Sequence, residues 1–351
     1  MKNKKRFVLL VIILVLASLT LAGSYYIGPV DKNAENKVAF TIAENEMTDT
    51  ILTNLKNEGL IKSELVAKAY IKISGKSNFK TGIFELSPKQ SLADIVKTLN
   101  SISNAQNANV TFLEGYRLID VAKLAESKLG IKQAEFLRLC NDRAFLNELR
   151  EKYDIIKNYE FNDQAIYQLE GLLAADTYNL SGGLDAKGLI EMLVAQTNKK
   201  YLENKALFDK SRLSVNEIYT LASMVEAEAK TYDDRVLVAS IFMNRIKNNM
   251  ALGSDVTTYY GLQLDLAARD LTSEELAQDN GYNTRAAMKG LPIGPICAPS
   301  NDSILAALSY TNTKYLYFVS DKNGKIYASQ TYEMHNKIIE NLKEKGLWFT
   351  Y

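Results

Sequence analysis

The chain of 351 residues has one histidine, His335, and two cysteines, Cys140 and Cys297. A zinc cage of four His and Cys ligands is therefore out of reach. A carboxylate-rich metal site stays open, but no EF-hand-like spacing occurs, so neither a metal nor a diffusible cofactor is expected. The cysteines lie far apart without a CxxC pattern, and their spacing does not say whether they pair. They read as small buried hydrophobes. Charge of one sign is also lacking: Lys+Arg is 42, Asp+Glu is 41, and the net charge is +1. That argues against a nucleic-acid partner held by a globally basic surface. No fixed-period repeat and no low-complexity tract is found. Proline is scarce, with five in all. Three of them, Pro292, Pro295 and Pro299, fall in the stretch YNTRAAMKGLPIGPICAPS. Such a segment is stiff but not helical, and reads as a connector or a cleft wall.

Length alone suggests two or three domains. The amino terminus begins with a basic cluster, Lys2, Lys4, Lys5 and Arg6, followed by an uncharged run over residues 7–27. About 20 residues of helix span a bilayer core of about 30 Å. The run reads as a retained transmembrane anchor, with residues 1–6 cytoplasmic and the remaining chain outside. A cleaved signal peptide is the alternative, although no clean A-x-A site follows. Residues 28–36 form a polar linker. Residues 37–102 then read as a small α+β module: strands near 37–42 and 80–88, and helices near 47–60, 63–73 and 91–100. The polar stretch SNAQNAN marks a boundary, and residues 110–351 read as a mixed α+β domain. Near the carboxyl end, aromatic strands flank Asn323-Gly324, a strong hairpin signal.

One helix carries the sharpest question. SVNEIYTLASMVEAEAK begins with a capping box, Ser214-x-x-Glu217. Ile218, Leu221, Ala222, Val225 and Ala229 follow helical spacing and predict one buried stripe. At about 100° per residue, Glu226 and Glu228 fall on opposite flanks, about 160° apart. They cannot form a paired-carboxylate site with each other. A carboxyl group at the edge of an apolar face loses water, which raises its pKa and suits a general acid. Small neighbours, Ala222 and Ala229, suggest room for a bulky ligand. The bland alternative is a surface glutamate on a half-buried helix.

Five blocks, in order, resemble the YceG-like family of MltG-type endolytic murein transglycosylases: LEGLLAADTY, LASMVEAEA, VASIFMNRIKNNMALGSDVTTYYGL, YNTRAAMKGLPIGPICAPS and YLYFVSDKNG…ASQTYEMHN. The resemblance runs from about residue 37 to about residue 345, together with the anchor. It implies a single-pass protein of the inner (cytoplasmic) membrane, a LysM-like module at 37–102, and a catalytic domain at 110–351. The substrate would be nascent peptidoglycan glycan strands, and association with peptidoglycan synthases and the division or elongation machinery would follow. The family's catalytic glutamate matches Glu226. Substrate-binding positions match Glu170, Asp176, Tyr178, Asn244, Arg245, Asp255, Thr257, Tyr260, Tyr282, Asn283 and Thr284. The chain departs from the family pattern at Leu113, Ala174-Ala175, Val256, Arg285 and Ile293.

The reaction implied is non-hydrolytic cleavage of the MurNAc-β-1,4-GlcNAc bond to a 1,6-anhydro end, terminating glycan elongation. Two alternatives remain at this level. One is a muramidase-type hydrolase in which Asp255 or Asp176 activates water. The other is a catalytically silent wall-binding or division scaffold.

Overall fold

A computed structural model describes residues 23–42, 46–80, 82–100, 108–180, 184–266, 269–285 and 289–348. The basic tail and most of the anchor reading over 7–27 lie outside the described residues. Among the described residues, no helix is long and apolar enough to cross a membrane. The chain divides into two compact units. One comprises residues 1–110, 125–131 and 178–185; the other comprises 111–124, 132–177 and 186–351.

The first unit is built from β1 (Val38–Ile42), α1 (Thr48–Asn57), α2 (Glu64–Ser74), β2 (Gly82–Leu86) and α3 (Leu92–Leu99). β1 and β2 pair antiparallel, with Phe40 opposite Phe84. The helices form where the sequence spacing places them. Ile51, Leu52 and Leu55 of α1, and Leu92, Ile95, Val96 and Leu99 of α3, turn into one core with Phe40, Phe84 and Leu86. Ser63 and Ser91 cap α2 and α3 through their hydroxyls, and Ser91 forms a reciprocal box with Asp94.

The boundary between the units falls within β3 (Ala108–Phe112), α4 (Leu118–Leu129) and β4 (Asp176–Leu180). β3 and β4 form a two-stranded sheet. The Thr111 and Thr177 hydroxyls meet at 2.8 Å across it.

The second unit continues through α5 (Gln133–Leu139), α6 (Arg143–Lys152), α7 (Asp154–Lys157), α8 (Ala186–Glu203), α9 (Lys205–Phe208), α10 (Val215–Glu228), α11 (Tyr232–Lys247), α12 (Asp255–Gly261), α13 (Ser273–Ala277) and α14 (Asn301–Leu308). It ends with the hairpin β5 (Tyr317–Ser320) and β6 (Ile326–Ser329), followed by α15 (Tyr332–Glu344). The hairpin is where the sequence places it. Its loop is longer than a two-residue turn, because Asp321 is buried and accepts the Asn323 and Lys325 N–H groups at 2.9 and 3.0 Å.

α10 departs from the one-stripe expectation. Every residue from 218 to 225 is buried. Helices α11, α12 and α14 pack around it, so its polar residues are inside as well. Ser223 fits there because its hydroxyl bonds the Thr220 carbonyl at 2.8 Å. Ala222 is fully buried. It lies one turn before Glu226 on the same face, and Glu226 there meets the start of α14.

The proline-rich segment runs through the interior. Residues 294–300 are buried, and Ala298 exchanges backbone hydrogen bonds with Gly115 and Tyr116 at 2.9 and 2.8 Å. Ile296 N–H donates to Ser223 Oγ at 3.0 Å. Both cysteines are buried and unpaired with each other. Gly171 permits this threading: its φ is +75°, and an added Cβ would stand 2.6 Å from Pro295 Cβ. Gly171→Ala is therefore expected to destabilise the protein by about 2–4 kcal/mol, combining left-handed strain and overpacking. Urea unfolding measures it, and a loss under about 0.5 kcal/mol would contradict this packing.

Candidate active site

The sequence folds α10 from its first turn. Ser214 caps it, with Glu217 N–H donating to Ser214 Oγ at 3.3 Å and Ser214 N–H donating to Glu217 Oε2 at 2.8 Å. The helix ends at its two acids, and these diverge as the helical arithmetic requires.

Glu226 points to the start of α14. Its Oε2 accepts the Ser300 N–H at 2.8 Å, the Ser300 hydroxyl, and the Ser303 hydroxyl at 2.7 Å. Its Oε1 accepts Arg235 at 2.8 Å. The Glu226 side chain is 7% exposed and that of Arg235 11%. Arg235 comes from the first turn of α11 and is itself held by the Ala229 carbonyl at 3.2 Å. Ser300 is the N-cap of α14, so the carboxylate also faces the positive end of that helix. Arg235, Ser300 and Ser303 were not among the residues read from sequence.

Glu228 points the other way. Its Oε1 accepts the Ser254 hydroxyl at 2.6 Å. Burial raises its pKa above the ordinary carboxylate value; the Ser254 bond opposes this, nearby Asp255 adds to it, and Arg285 and Arg245 oppose it. Asp255 pairs with both ends of the Arg285 guanidinium. Arg285, a departure from the family pattern, thus finds its partner within the same neighbourhood.

The other candidate residues form a supporting frame. Asn244 donates to the Thr313 carbonyl at 2.9 Å and the Tyr315 carbonyl at 3.0 Å, tying α11 to the segment before β5. Arg245 donates to the Leu316 and Leu252 carbonyls, both at 2.6 Å, and lies over the Tyr317 ring. Thr257 and Thr284 are fully buried, and their hydroxyls meet at 2.9 Å. Thr258 donates to the buried Asn283 at 2.9 Å. Tyr260 stacks edge-on against Tyr282, both buried, and donates to Glu170 Oε2 at 2.9 Å. Apart from the buried Tyr282 hydroxyl, which has no partner among the described residues, these polar groups are used inside the protein. Asp176 is exposed on β4 and accepts Gln196 at 2.8 Å. It lines a cavity of about 320 Å³ with Glu114 and Lys200. Tyr178 is buried two residues further on. His335 packs near the rings of Tyr317 and Tyr332, and burial, with Arg245 adding, lowers its pKa.

With this geometry in view, the comparisons with known proteins are specific. A model of the YceG-like family matches residues 40–341. The chain belongs to the YceG-like family. This YceG-like chain is 31% identical over 331 residues to a Bacillus subtilis (strain 168) protein named endolytic murein transglycosylase, covering 93% of the chain and 91% of that protein. It is 29% identical over 358 residues to a protein of the same name from Streptococcus pneumoniae serotype 2, with 95% of the chain covered but only 65% of that protein's length. A crystal structure of a yceG-like protein from Listeria monocytogenes superposes with a TM-score of 0.60 at 30% identity, covering 86% of the chain and 99% of the other.

Glu170 is 2% exposed, and burial raises its pKa from an ordinary 4.5 to about 7, against the opposing bonds from Tyr260, Leu118 and Gly171. The folded state therefore binds this proton more tightly than the unfolded state does. Its contribution to stability is fully present below pH 4.5 and is lost as pH rises to about 7. Glu170→Gln should remove that slope, so the variant gains on the parent by roughly 3 kcal/mol between these limits. Chemical denaturation across pH 4–8 measures it; parallel curves would refute it.

Arg235→Met should cost about 3–5 kcal/mol by leaving a buried carboxylate without its partner. Adding Glu226→Gln to it should recover part of the loss. A double-mutant cycle with no coupling would show that the pair contributes nothing.

Proposed function

We propose that this protein is a membrane-anchored endolytic lytic transglycosylase acting on nascent peptidoglycan, with Glu226 as its proton-transfer residue. The observation that carries the assignment is the Glu226 cradle of Arg235, Ser300 and Ser303, in a chain whose relatives are named endolytic murein transglycosylases.

The chemistry needs one carboxyl group twice. Protonated Glu226 donates to the glycosidic oxygen as the bond from muramoyl C1 breaks and positive charge develops on the sugar. The carboxylate then takes the proton of the muramoyl 6-hydroxyl, whose oxygen closes on C1. One bond forms, one breaks, the proton returns and no water is consumed. Ordinary glycosidases use a second carboxylate for the nucleophile or base; an internal hydroxyl replaces it here. The cradle suits both states. Arg235 and the Ser300 N–H hold the anion, while the two serine hydroxyls can turn from donors to acceptors when Glu226 carries a proton. Asn244, Arg245, Asp255, Thr257, Tyr260, Tyr282, Asn283, Thr284 and Glu170 are assigned to the binding region, the buried ones as its frame, with Asp176 and Tyr178 along β4.

The sequence supports the remaining assignments. Residues 7–27 anchor the chain in the cytoplasmic membrane with residues 1–6 inside, and 110–351 form the catalytic domain outside it. The module at 37–102 is assigned as LysM-like on the sequence resemblance, and its two helices between two antiparallel strands support that reading. Peptidoglycan synthases and the division or elongation machinery are the partners that fit a terminator of glycan growth. A second reading of the acid is favoured by one observation, the burial of Glu228 with its raised pKa, which suits a proton donor.

Product analysis by mass spectrometry on un-crosslinked glycan strands tests this, using the full chain in detergent. The parent should yield anhydromuramoyl ends, and Glu226→Gln should slow their formation by about 10²–10⁴-fold. Loss of activity in Glu228→Gln with activity retained in Glu226→Gln would exchange the two roles. Reducing ends would indicate a hydrolase, and binding without cleavage a scaffold.

A further inference from the structure

A second cavity lies away from these acids in sequence. It occupies about 500 Å³ between α6 and the segment 161–168. Arg143, Leu146, Asn147 and Arg150 line it from one face of α6, at the spacing that brings helix positions into register. Phe161 and Gln168 line it from the other side. Its volume falls in the range of small-molecule sites.

The polar groups in it are unevenly satisfied. Arg143 is paired with Asp163, which offsets its charge. Arg150 is not offset. Its guanidinium lies over the Phe161 ring at 5.2 Å, and its Nε is buried with no hydrogen-bond partner among the described residues. The Gln168 Oε1 is likewise buried and unpartnered, although its Nε2 is fixed by the Asn162 carbonyl at 2.7 Å. A buried donor and a buried acceptor without a protein partner cost free energy unless water or a ligand reaches them. The side-chain amide of Asn147 adds a donor and an acceptor at the exposed rim.

These groups specify an occupant. A guanidinium without a counter-charge takes a carboxylate or a phosphate. Gln168 Oε1, fixed as an acceptor, takes an N–H. A phosphate offers no N–H, and a neutral sugar leaves the arginine uncompensated. A carboxylate beside an amide N–H satisfies both, and that is the pattern of an acidic peptide.

We propose that this cavity binds the acidic peptide substituent of the glycan strand, with Arg150 on a carboxylate and Gln168 on an adjacent amide N–H. The proposal rests on the peptidoglycan reading above. The segment that forms the cavity also touches the catalytic helix. Glu160, beside Phe161, exchanges hydrogen bonds with Asn216 in the first turn of α10, its N–H donating at 2.7 Å. A peptide held here would thus sit on the support of the helix that carries Glu226.

The test is calorimetric titration of the full chain in detergent with an N-acetylated stem pentapeptide bearing free carboxylates, and with the same peptide amidated. The parent should bind the acidic form saturably and the amidated form at least about tenfold more weakly, the difference expected for a charge-assisted contact. Arg150→Met should weaken binding by a similar factor. Asn147→Asp, on the exposed face of α6, places a like charge at the rim and should do the same without disturbing the core, so it decides the matter if Arg150→Met fails to fold. No saturable binding, equal binding of the amidated peptide, or unchanged binding in the variants overturns the proposal. The titration requires no cleavage. A chain that binds the peptide but makes no anhydro ends therefore counts against the reaction alone, and one that cleaves but does not bind counts against the cavity alone.

Discussion

Much of the second unit depends on one constraint: a carboxylate placed at the end of a helix that is buried on every side. Residues 218–225 leave α10 no solvated face. Glu226, with a side chain only 7% exposed, is met chiefly by protein groups. Its partners come from two other helices, Arg235 at the start of α11 and Ser300 and Ser303 at the start of α14. Each of those helices is fixed by meeting it. The α14 N-terminus loses one unpaired N–H to the carboxylate, and the Arg235 guanidinium joins the α10 end at Ala229 to Glu226. The arrangement holds three helix ends at a single anionic point. For the proton-transfer role proposed for Glu226, such fixity means that nothing has to reorganise around the charge that appears.

The frame around this point follows the same logic on a larger scale. Glu170 accepts the Leu118 N–H at 2.9 Å and the Tyr260 hydroxyl at 2.9 Å, so a buried acid joins three segments. The Thr257–Thr284 and Thr258–Asn283 pairs join α12 to the segment before the prolines. Asn244 and Arg245 join α11 to the segment before β5 through the Tyr315 and Leu316 carbonyls. In each case the polar side chain bonds backbone or another side chain that arrives from far along the chain. Such bonds add little net stability singly, but breaking one leaves a buried group unpaired. That asymmetry makes the positions intolerant of change whether or not they touch a ligand.

What the sequence showed was the local part. Capping of α10 by Ser214 and Glu217 is a three-residue pattern, and the divergence of Glu226 from Glu228 is helix geometry. The first unit's helices carried clear spacing, and the hairpin carried its turn. What stayed hidden depends on long-range pairing. Ser300 and Ser303 lie 74 and 77 residues from Glu226, and nothing local marks a helix cap as a carboxylate ligand. Tyr260 lies 90 residues from Glu170. The one-stripe reading of α10 went wrong because Tyr219, Thr220, Ser223 and Met224 look like a wetter face. Short hydroxyl side chains can satisfy themselves on their own helix, and so enter a core unannounced. The buried Thr257 and Thr284 hydroxyls are satisfied differently, by meeting each other across 27 residues of chain.

The two glutamates then illustrate how one helix end can hold two carboxyl groups in unlike states. They lie two positions apart and differ in what meets them. Glu226 meets a guanidinium, a helix N-terminus and two hydroxyls, a set that accommodates the anion. Glu228 meets a single hydroxyl, with Asp255 nearby and Arg285 already engaged by that aspartate. Burial makes a proton easier to keep on Glu228 than on an ordinary carboxyl group, with Asp255 adding to the effect. The two acids face opposite sides of one helix, so they cannot act on the same bond from either side of a sugar ring as paired glycosidase carboxylates do. A reaction that returns its own proton is the chemistry compatible with that geometry, because it needs only one of the two at the bond. The other is free to hold α12 in place through Ser254.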